Sequence, residues 1–400
     1  MRYASQLMRS VRAPVVLVIS MALAACTVGT IEETSPSPVT ESSGRIVVLD
    51  SQGDIVTLDP DGGNLVQITD DGESTRYFQP IWSPDSLTLA WGVADSSGFA
   101  VGISEDDGSD RRRVETSGFP FYLNWSPDGE QIGILHGGSE GTFDFEVVDP
   151  IAESSATIDS GSPYYFSWSP GSDAVVVHVG GDRLEIFDES ADPMDIGPAS
   201  PRFFSPRWTP AGIFYVGPEG VTRRADDGQS EVLLDTSGFI SINPNPQGSL
   251  VAIHSLSGQD GITVGLDSQE DPNSVSILDV ESGEVTAVAT GLSVGSFWSP
   301  AGNSLLVLEL NADARAIDLV LWEAKETRTL TTIGVPGSLI SEALAFFDQY
   351  AQSWQMWSPD SAAVVFPGTI GDAAGIWVIG LDGADPLNIS DGEWAAWSHG

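Results

Sequence analysis

The chain has 400 residues, of which 57 are acidic and 16 basic, so its formal net charge is −41 at pH 7. This charge excludes nucleic acid as a partner, because binding to nucleic acid depends on neutralising phosphates with lysine and arginine. The single cysteine excludes an internal disulfide. The aromatic content of 9%, together with 43 glycines and 25 prolines, indicates a packed, turn-rich β protein rather than a disordered chain.

The N-terminal segment, residues 1–25, has the pattern of a signal peptide. Three arginines lie in its first half, and residues 13–22 (APVVLVISMA) are apolar but too few for a membrane-spanning helix, which needs about 20. The segment ends in Leu-Ala-Ala before Cys26, which resembles the lipobox of bacterial lipoproteins. That resemblance implies cleavage before Cys26 and a diacylglycerol on its thiol. The alternatives are an ordinary signal peptide and a short membrane anchor.

Residues 26–43 are rich in Ser, Thr, Pro and Glu and have little to bury. We expect a disordered, acylated tether, because such a composition cannot form a core. The expected location is therefore extracytoplasmic, in the periplasm or at the cell surface, with the lipid in the cell membrane or the outer membrane. Thr27 stands where an aspartate retains some lipoproteins at the inner membrane, which favours the outer membrane in a cell with two membranes.

One motif, a tryptophan followed by Ser-Pro or Thr-Pro and a short turn, recurs through the rest of the chain at intervals of about 40 residues. A period near 40, with strand-like segments between the copies, is typical of a propeller blade. A degenerate copy at residues 244–248 has lost its tryptophan. The other copies begin at Trp82, Trp125, Trp168, Trp208, Trp298, Trp357 and, truncated by the end of the chain, Trp397.

Each interval between copies holds apolar runs of strand length, such as residues 87–91 (LTLAW), 184–187 (LEIF) and 232–234 (VLL). Pro-Asp-Gly or Asp-Gly separates many of these runs. Both are hairpin signals, because proline fixes φ and glycine accepts a positive φ. With the strand that ends in the tryptophan, each unit has four strands. We expect the repeated tryptophans to pack between blades rather than to form a ligand platform.

The Trp-Ser-Pro-Asp-Gly turn resembles the repeat of TolB-type propellers, which is also found in the non-catalytic propellers of prolyl-oligopeptidase-like proteins. The resemblance covers nearly all of residues 44–400 and implies a single all-β domain, a β-propeller with four-stranded blades. The C-terminal strand at Trp397 and three strands within residues 45–68 would share one blade and close the ring. Eight motifs predict eight blades, with seven as the alternative if residues 244–248 do not belong to a blade.

Two intervals exceed the period, and both additions fall on the face that carries the second-to-third-strand loops and the links between blades. Residues 256–273 lengthen one loop, and residues 333–353 lengthen one link. Long loops on a rigid scaffold are where binding residues concentrate, so we predict that this face binds a ligand or partner. The candidate binding residues are Asp260, Asp267, Glu270 and Asp271 in the first addition and Phe346, Phe347 and Tyr350 in the second.

Residues 338–350 (SLISEALAFFDQY) have helical periodicity. Five of these residues recur at spacings of three and four and could therefore share one face of a helix: Leu339, Ala343, Phe346, Phe347 and Tyr350. This short helical insert either packs down onto the blades or serves as a partner-docking helix or a lid over the central channel.

The remaining patterns do not assemble a catalytic site. Residues 291–295 match G-x-S-x-G, but they lie in a link between blades, whereas a nucleophile elbow needs a strand, a sharp turn and a helix. The histidines lack metal-ligand spacing, although His136, His178 and His254 each follow a second strand and could approach one another. The run Arg111–Arg113 would blunt a sheet edge or dock an acidic partner. We predict no metal and no cofactor, with calcium or another divalent cation as the open alternative.

Together these features predict a membrane-anchored lipoprotein whose propeller binds a protein or a small ligand and has no catalytic activity. The expected partners are the membrane, through the N-terminal lipid, and an envelope protein or small ligand. We expect a monomer. Two alternatives are an enzyme that uses the propeller channel, as some lactonases and lyases do, and a solute-binding or sensory partner of a transporter.

Overall fold

The computed structural model describes residues 44–188, 192–201, 203, 205–236, 239–256, 275–289, 291–311 and 316–400. These residues form eight antiparallel sheets that are the blades of a β-propeller. The predicted fold class and the prediction of eight blades are confirmed. No helix in the described part of the chain is long and apolar enough to cross a membrane. Cys26, the candidate signal peptide and the candidate tether lie outside the described residues.

The blades are numbered in chain order. Blade 1 contains β1 (Ile46–Leu49), β2 (Ile55–Leu58), β3 (Val66–Gln67) and the last strand of the chain, β31 (Trp394–Trp397). Blade 2 contains β4 (Arg76–Trp82), β5 (Thr88–Asp95), β6 (Gly98–Glu105) and β7 (Arg112–Glu115). Blade 3 contains β8 (Pro120–Trp125), β9 (Ile132–Gly137), β10 (Phe143–Asp149) and β11 (Ser154–Gly161), and blade 4 contains β12 (Tyr164–Trp168), β13 (Ala174–Val179), β14 (Arg183–Asp188) and β15 (Met194–Asp195).

Blade 5 contains β16 (Arg207–Thr209), β17 (Gly212–Gly217), β18 (Gly220–Arg224) and β19 (Ser230–Asp235). Blade 6 contains β20 (Phe239–Pro244), β21 (Leu250–Leu256), β22 (Val275–Asp279) and β23 (Val285–Ala289). Blade 7 contains β24 (Ser293–Trp298), β25 (Ser304–Asn311), β26 (Ala316–Glu323) and β27 (Glu326–Ile333), and blade 8 contains β28 (Ala363–Ile370), β29 (Ala373–Gly380) and β30 (Leu387–Ser390). The helical elements are a 3-10 turn at Ser139–Gly141, α1 (Gly337–Glu342), a second 3-10 turn at Leu344–Phe346 and α2 (Phe347–Tyr350).

Blade 1 closes the ring as predicted. The C-terminal strand β31 pairs with β1 in antiparallel register, with Ile46 opposite Trp397 and Leu49 opposite Trp394. This pairing places the first and last strands of the ring in one sheet and so closes the propeller. The degenerate motif at residues 244–248 begins at the end of β20 in a complete four-stranded blade, so the seven-blade alternative is wrong.

Blade 8 departs from four full strands. Its innermost strand is reduced to a single bridge between Trp357 and Val364, and its sheet is three-stranded. The cause lies in the sequence just before Trp357, where the long link between blades 7 and 8 forms helical turns instead of an extended strand. We call this link, residues 334–356, the insert.

The core lies between the blades, and the sequence of each strand follows its depth. The second strand of blade 4, β13 (AVVVHV), is buried along its whole length, whereas the outer strand β11 of blade 3 (SSATIDSG) is mostly exposed. Branched apolar side chains suit a strand that is covered on both faces, because they pack closely on a pleated surface.

The repeated tryptophans join neighbouring blades by hydrogen bonds. In four copies the indole N–H donates to the carbonyl of the residue just before the tryptophan position of the preceding blade. The pairs are Trp82 with Ala396 (3.2 Å), Trp168 with Asn124 (3.2 Å), Trp298 with Asn243 (2.7 Å) and Trp357 with Phe297 (3.0 Å). The motif thus places a large apolar ring between two blades and satisfies a main-chain carbonyl on the inner strand of the neighbour.

The residues after the tryptophan form a closed turn. In blade 3 the Ser126 hydroxyl donates to Asp128 (2.6 Å) and accepts from the Gln131 N–H (2.9 Å), and Gly129 takes a φ of +74°. In blade 4 Ser172 replaces that glycine with a φ of +64°, and its hydroxyl accepts the Asp128 N–H of the preceding blade at 3.0 Å. A positive φ costs free energy in a residue other than glycine. The hydrogen bond that Ser172 makes between the blades offsets this cost.

The ring has two distinct faces. The tryptophan turns and the turns between third and fourth strands emerge on one face, which we call the turn face. The links between blades, the second-to-third-strand loops and the insert emerge on the other, the insert face. The described chain begins at the turn face, because Arg45 exchanges main-chain and side-chain bonds with Ser398, the residue after the last motif tryptophan.

Candidate functional site

The insert descends from the insert face into the central channel. Within it, Asp348, Gln349 and Tyr350 are buried polar residues, 1%, 3% and 4% exposed. The predicted helical insert is confirmed, but the helix is interrupted. Ala343 and Phe346 leave the regular helical geometry (φ −110°, ψ −54° and φ −125°, ψ 33°), so α1 and α2 do not share a continuous helical face.

This interruption separates the predicted binding residues. Phe347 and Tyr350 are buried with Leu339, whereas Phe346 is 44% exposed at the insert face. The prediction that these residues share one face is therefore wrong for Phe346, because it requires a regular helix through Ala343. Tyr350 still lines a cavity with Phe346, and Phe347 packs against the ring of His254 at 4.5 Å.

Gln349 ties the insert to the channel wall. Its side-chain carbonyl accepts the Phe166 N–H (3.2 Å) and the Ser205 hydroxyl (3.1 Å), and its side-chain amide donates to the Phe166 carbonyl (3.0 Å). The Tyr122 hydroxyl donates to the main-chain carbonyl of Gln349 at 3.0 Å. The innermost strand of blade 4 has no further strand beside it, so Gln349 supplies the partners that its inward main-chain groups require.

Two ionisable groups lie beside Gln349 in the channel. Burial raises the pKa of Asp348 to about 6, although its carboxylate accepts the Ser205 N–H at 3.1 Å. Burial lowers the pKa of Arg207 to about 10, and its guanidinium donates to the Asn243 side chain at 3.1 Å. Both shifts have the same cause, because removing a charge from water disfavours the charged form.

A groove runs along the insert on the insert face and has two adjoining parts. The first, which we call the aromatic compartment, has a volume of about 370 Å³ and lies between the insert and blades 2, 3 and 4. Its rings include edge-to-face pairs such as Phe121 with Phe143, whose centroids are 5.2 Å apart. The main wall residues are Phe78, Phe119, Phe121, Phe143, Phe346 and Tyr350.

The second part of the groove, which we call the acidic compartment, has a volume of about 460 Å³ and lies between the insert and blades 1 and 2. Three glutamates, Glu73, Glu342 and Glu393, line it. Arg76 and Glu342 line both compartments and so mark their boundary. The Arg76 guanidinium lies over the ring of Phe119, 5.1 Å from its centre.

Sequence reasoning missed the aromatic compartment, although a signal was present. Phe78, Phe121 and Tyr164 each stand four residues before a motif tryptophan, in three consecutive blades. The innermost strands start at equivalent depths, so equal spacing from the motif places these rings side by side at the insert face. A repeated aromatic residue at this offset therefore predicts a cluster.

The three histidines lie within second strands rather than after them, and they do not meet in a metal site. His178 stacks on Phe203 with ring centres 4.1 Å apart, and His254 lies against Phe347. His136 pairs with a glutamate of its own blade. Across the described ranges, no three His, Cys, Asp or Glu side chains form a group that could hold a metal ion.

His136 and Glu146 form a buried pair, with Nε2 and Oε2 2.8 Å apart and both side chains 1% exposed. Burial acts to lower the pKa of His136, but the hydrogen bond and charge of Glu146 outweigh it, and the pKa is raised. Burial acts to raise the pKa of Glu146, and the bond from His136 outweighs it, so that pKa is lowered. The pair lies below the link that carries Phe119, because Glu146 also accepts the Ser117 N–H at 3.2 Å.

The other candidate positions take structural places or lie outside the described residues. Asp260, Asp267, Glu270 and Asp271 are outside them, so their role stays a prediction. Arg112 donates to the Pro150 carbonyl of the next blade, and Arg113 pairs with Asp95 and Glu115. In the G-x-S-x-G match, Ser293 begins β24 and donates to the Gly295 carbonyl at 3.1 Å, within a strand and not at a strand-to-helix turn.

A third cavity, of about 330 Å³, opens on the turn face. Trp82, Trp125 and Trp168 contribute to its wall with Arg207 and His399. These tryptophans are only 3%, 6% and 6% exposed, so they present edges rather than open ring faces. The cavity is therefore a less suitable stacking site than the aromatic compartment.

No protein-family model and no curated protein matches this chain. Among solved structures, a prolyl endopeptidase is similar with a TM-score of 0.53 at 8% identity, covering 81% of this chain and 50% of that one. An oligogalacturonate lyase in complex with manganese is similar with a TM-score of 0.51 at 13% identity, covering 85% and 98%. These likenesses show a shared propeller fold. TolB from Acinetobacter baumannii is similar with a TM-score of 0.41 at 15% identity over 71% of this chain, which spans 62% of the TolB chain.

Proposed function

We propose that this chain is an exported, lipid-anchored binding protein whose ligand occupies the groove beside the insert. The observation that carries the proposal is the groove itself, with adjoining compartments of about 370 Å³ and 460 Å³. Sites for small molecules have volumes of about 300–1,000 Å³ and are lined mainly by apolar and aromatic side chains. The aromatic compartment has both properties, and Phe346 is 44% exposed at its wall.

Binding without catalysis is supported by the way the channel is filled. Asp348 and Gln349, which are buried in the channel, already hold bonds to the wall, and the Tyr350 hydroxyl donates to the Phe121 carbonyl at 2.8 Å. A channel enzyme needs several ionisable groups that converge on open space. In the described part of this channel, the ionisable and polar groups on the side of the insert face bond to the insert rather than converging on open space.

The first described residues lie on the face of the propeller that a tether would join. Arg45 lies at the turn face beside Ser398, so a tether ending at residue 43 would join the propeller there. The groove lies on the opposite face. The tether would therefore join the propeller on the side away from the groove.

Dye binding tests whether the groove is a ligand site. We expect the neutral apolar dye Nile red to bind a fragment of residues 44–400, which contains every strand of the ring, with a rise in fluorescence. Phe346→Ser and Phe119→Ser should each weaken binding by roughly threefold or more, because each removes an aromatic wall.

The matched controls are Leu87→Ser and Ile151→Ser, which remove apolar side chains that are 63% and 79% exposed on the turn face. Both controls should bind the dye as the unaltered fragment does. Equal dye binding in the two groove variants, or a loss confined to the two controls, would contradict the proposal.

Membrane fractionation tests the anchor separately. In bacteria that express the full chain, the protein should sediment with the membranes and take up radiolabelled palmitate. Cys26→Ser removes the thiol that would carry the lipid, so the variant should lose the label. Retention of the label by Cys26→Ser would overturn the lipoprotein assignment and leave the groove proposal standing.

A further inference from the structure

The walls of the aromatic compartment pack against one another. Phe121 and Phe143 meet edge to face at 5.2 Å, and Phe78 and Phe119 do so at 5.9 Å. Tyr350 is fixed from below, because its hydroxyl bonds to the Phe121 carbonyl and its ring meets Tyr122 edge to face at 5.2 Å. The walls are therefore fixed aromatic surfaces, and such surfaces attract apolar groups and also cations.

The acidic compartment adds negative charge next to these rings. Glu73, Glu342 and Glu393 are exposed and line it together. Within the described ranges, none of the three makes an ion pair with a basic side chain at 4 Å or less, whereas Arg45, Arg113 and Lys325 each pair with a carboxylate elsewhere. The glutamates beside the groove are thus available to a ligand.

Among the residues that the structure describes, Arg76 is the only basic one that lines either compartment. Its guanidinium already lies over Phe119, 5.1 Å from the ring centre. This contact shows that a ring of the aromatic compartment accepts a cation. With three carboxylates against one guanidinium, the combined groove still has a negative balance.

From these observations, and resting on the groove as the ligand site of the proposed function, we infer that the ligand is a small organic cation with an apolar or aromatic body. The body lies among Phe121, Phe143 and Phe346, and the ammonium lies at the boundary beside Glu342. An anion of the same size would face three carboxylates. A neutral ligand would gain the ring contacts alone.

Calorimetry with three probes of nearly equal size tests the inference: 2-phenylethylammonium, 2-phenylethanol and 3-phenylpropanoate. The full-length protein is used in nonionic detergent at fixed ionic strength, with detergent alone as the blank and methylammonium as a control for charge without an apolar body. We expect the ammonium probe to bind roughly fivefold more tightly than the alcohol, and the carboxylate and methylammonium to bind most weakly.

Two boundary variants should shift this binding in opposite directions. Glu342→Gln should weaken 2-phenylethylammonium binding by roughly threefold, and Arg76→Gln should strengthen it by a similar factor, because the first removes an attractive charge and the second a repulsive one. Glu130 is, like Glu342, an exposed carboxylate, but it lies on the turn face. Glu130→Gln should therefore leave the affinity for 2-phenylethylammonium unchanged. These exposed positions leave the core intact, so folding is not at issue.

The failures of the two proposals are distinguishable. If the alcohol or the carboxylate binds as tightly as the ammonium probe, and Phe346→Ser weakens it, the ligand class is wrong while the groove remains a ligand site. If Phe346→Ser and the boundary variants leave the binding of every probe unchanged, the inference and the proposed function both fail.

Discussion

At the scale of single residues, Trp125 and Trp168 occupy the same motif position in neighbouring blades and differ in one hydrogen bond. Both are 6% exposed. The Trp168 indole donates to the Asn124 carbonyl at 3.2 Å, whereas the Trp125 indole nitrogen is buried without a partner in the described part of the chain. The two residues therefore separate the effect of the bond from the effect of ring burial.

Replacing each of these tryptophans by phenylalanine should give unequal losses of stability. Trp168→Phe removes the bond between blades and leaves the Asn124 carbonyl unpaired, so it should lower the free energy of unfolding by about 1 kcal/mol more than Trp125→Phe does. Denaturant unfolding at fixed pH measures the difference. Equal losses would show that the indole bond contributes nothing beyond ring packing.

The His136–Glu146 pair predicts a pH-dependent stability. Because the pKa of His136 is raised above its ordinary value of 6.5, the histidine contributes in full below pH 6.5, and its contribution is lost as the pH rises through the raised pKa. Because the pKa of Glu146 is lowered from 4.5, its contribution is lost only as the pH falls below 4.5. His136→Gln should therefore lower the free energy of unfolding most between pH 4.5 and pH 6.5, by about 2 kcal/mol. The loss should become progressively smaller above pH 6.5.

His254 provides a control of opposite sign. Burial lowers its pKa to about 3, so it stays neutral in the folded protein while the unfolded chain takes up a proton below pH 6.5. The unaltered protein should therefore lose stability relative to His254→Gln as the pH falls from 7 to 5. Parallel pH profiles for the two histidine variants, measured by denaturant unfolding, would refute both assignments.

At the scale of elements, the insert places two adjacent phenylalanines in opposite environments. Phe347 is 7% exposed and packs on His254, and Phe346 is 44% exposed at the groove. Phe347→Ala should lower the free energy of unfolding by about 3–5 kcal/mol, whereas Phe346→Ala should change it by about 0.5 kcal/mol or less. Thermal and denaturant unfolding of the two variants measures this. Comparable losses would mean that the insert does not pack in the channel as described.

The elements that sequence could predict are those marked by a repeat. Five of the seven motif tryptophans end an innermost strand, so the spacing of the motif sets the blades, and the strands that contain Ile46 and Trp397 determine the closure of the ring. The insert was predictable as helical but not as interrupted. Helical periodicity alone does not encode the break at Ala343.

The sequence predicts the face on which the candidate site lies, but not most of the residues that form it. The long link identified the insert face and included Phe346. The other walls come from separate blades, and only the repeated offset of Phe78, Phe121 and Tyr164 from the motif tryptophans hinted at them. The acidic compartment could not be predicted, because Glu73, Glu342 and Glu393 are distant in sequence and are brought together only by ring closure.

At the scale of the whole molecule, the two faces of the ring carry different features. The turn face carries the tryptophan turns, the closure of the ring and the first described residues. The insert face carries the groove, with the channel below it filled by Asp348, Gln349 and Tyr350. The formal charge of −41 favours cations throughout the surface, and the groove adds aromatic surfaces that simple counterions cannot use.

The most direct measurement of the central claim is a crystal structure of the protein grown with 2-phenylethylammonium. The account predicts density for the phenyl ring among Phe121, Phe143 and Phe346, with the ammonium beside Glu342 and the insert still seated in the channel. Density only in the turn-face cavity beside Arg207, or an empty groove at a probe concentration that saturates the protein in solution, would contradict it.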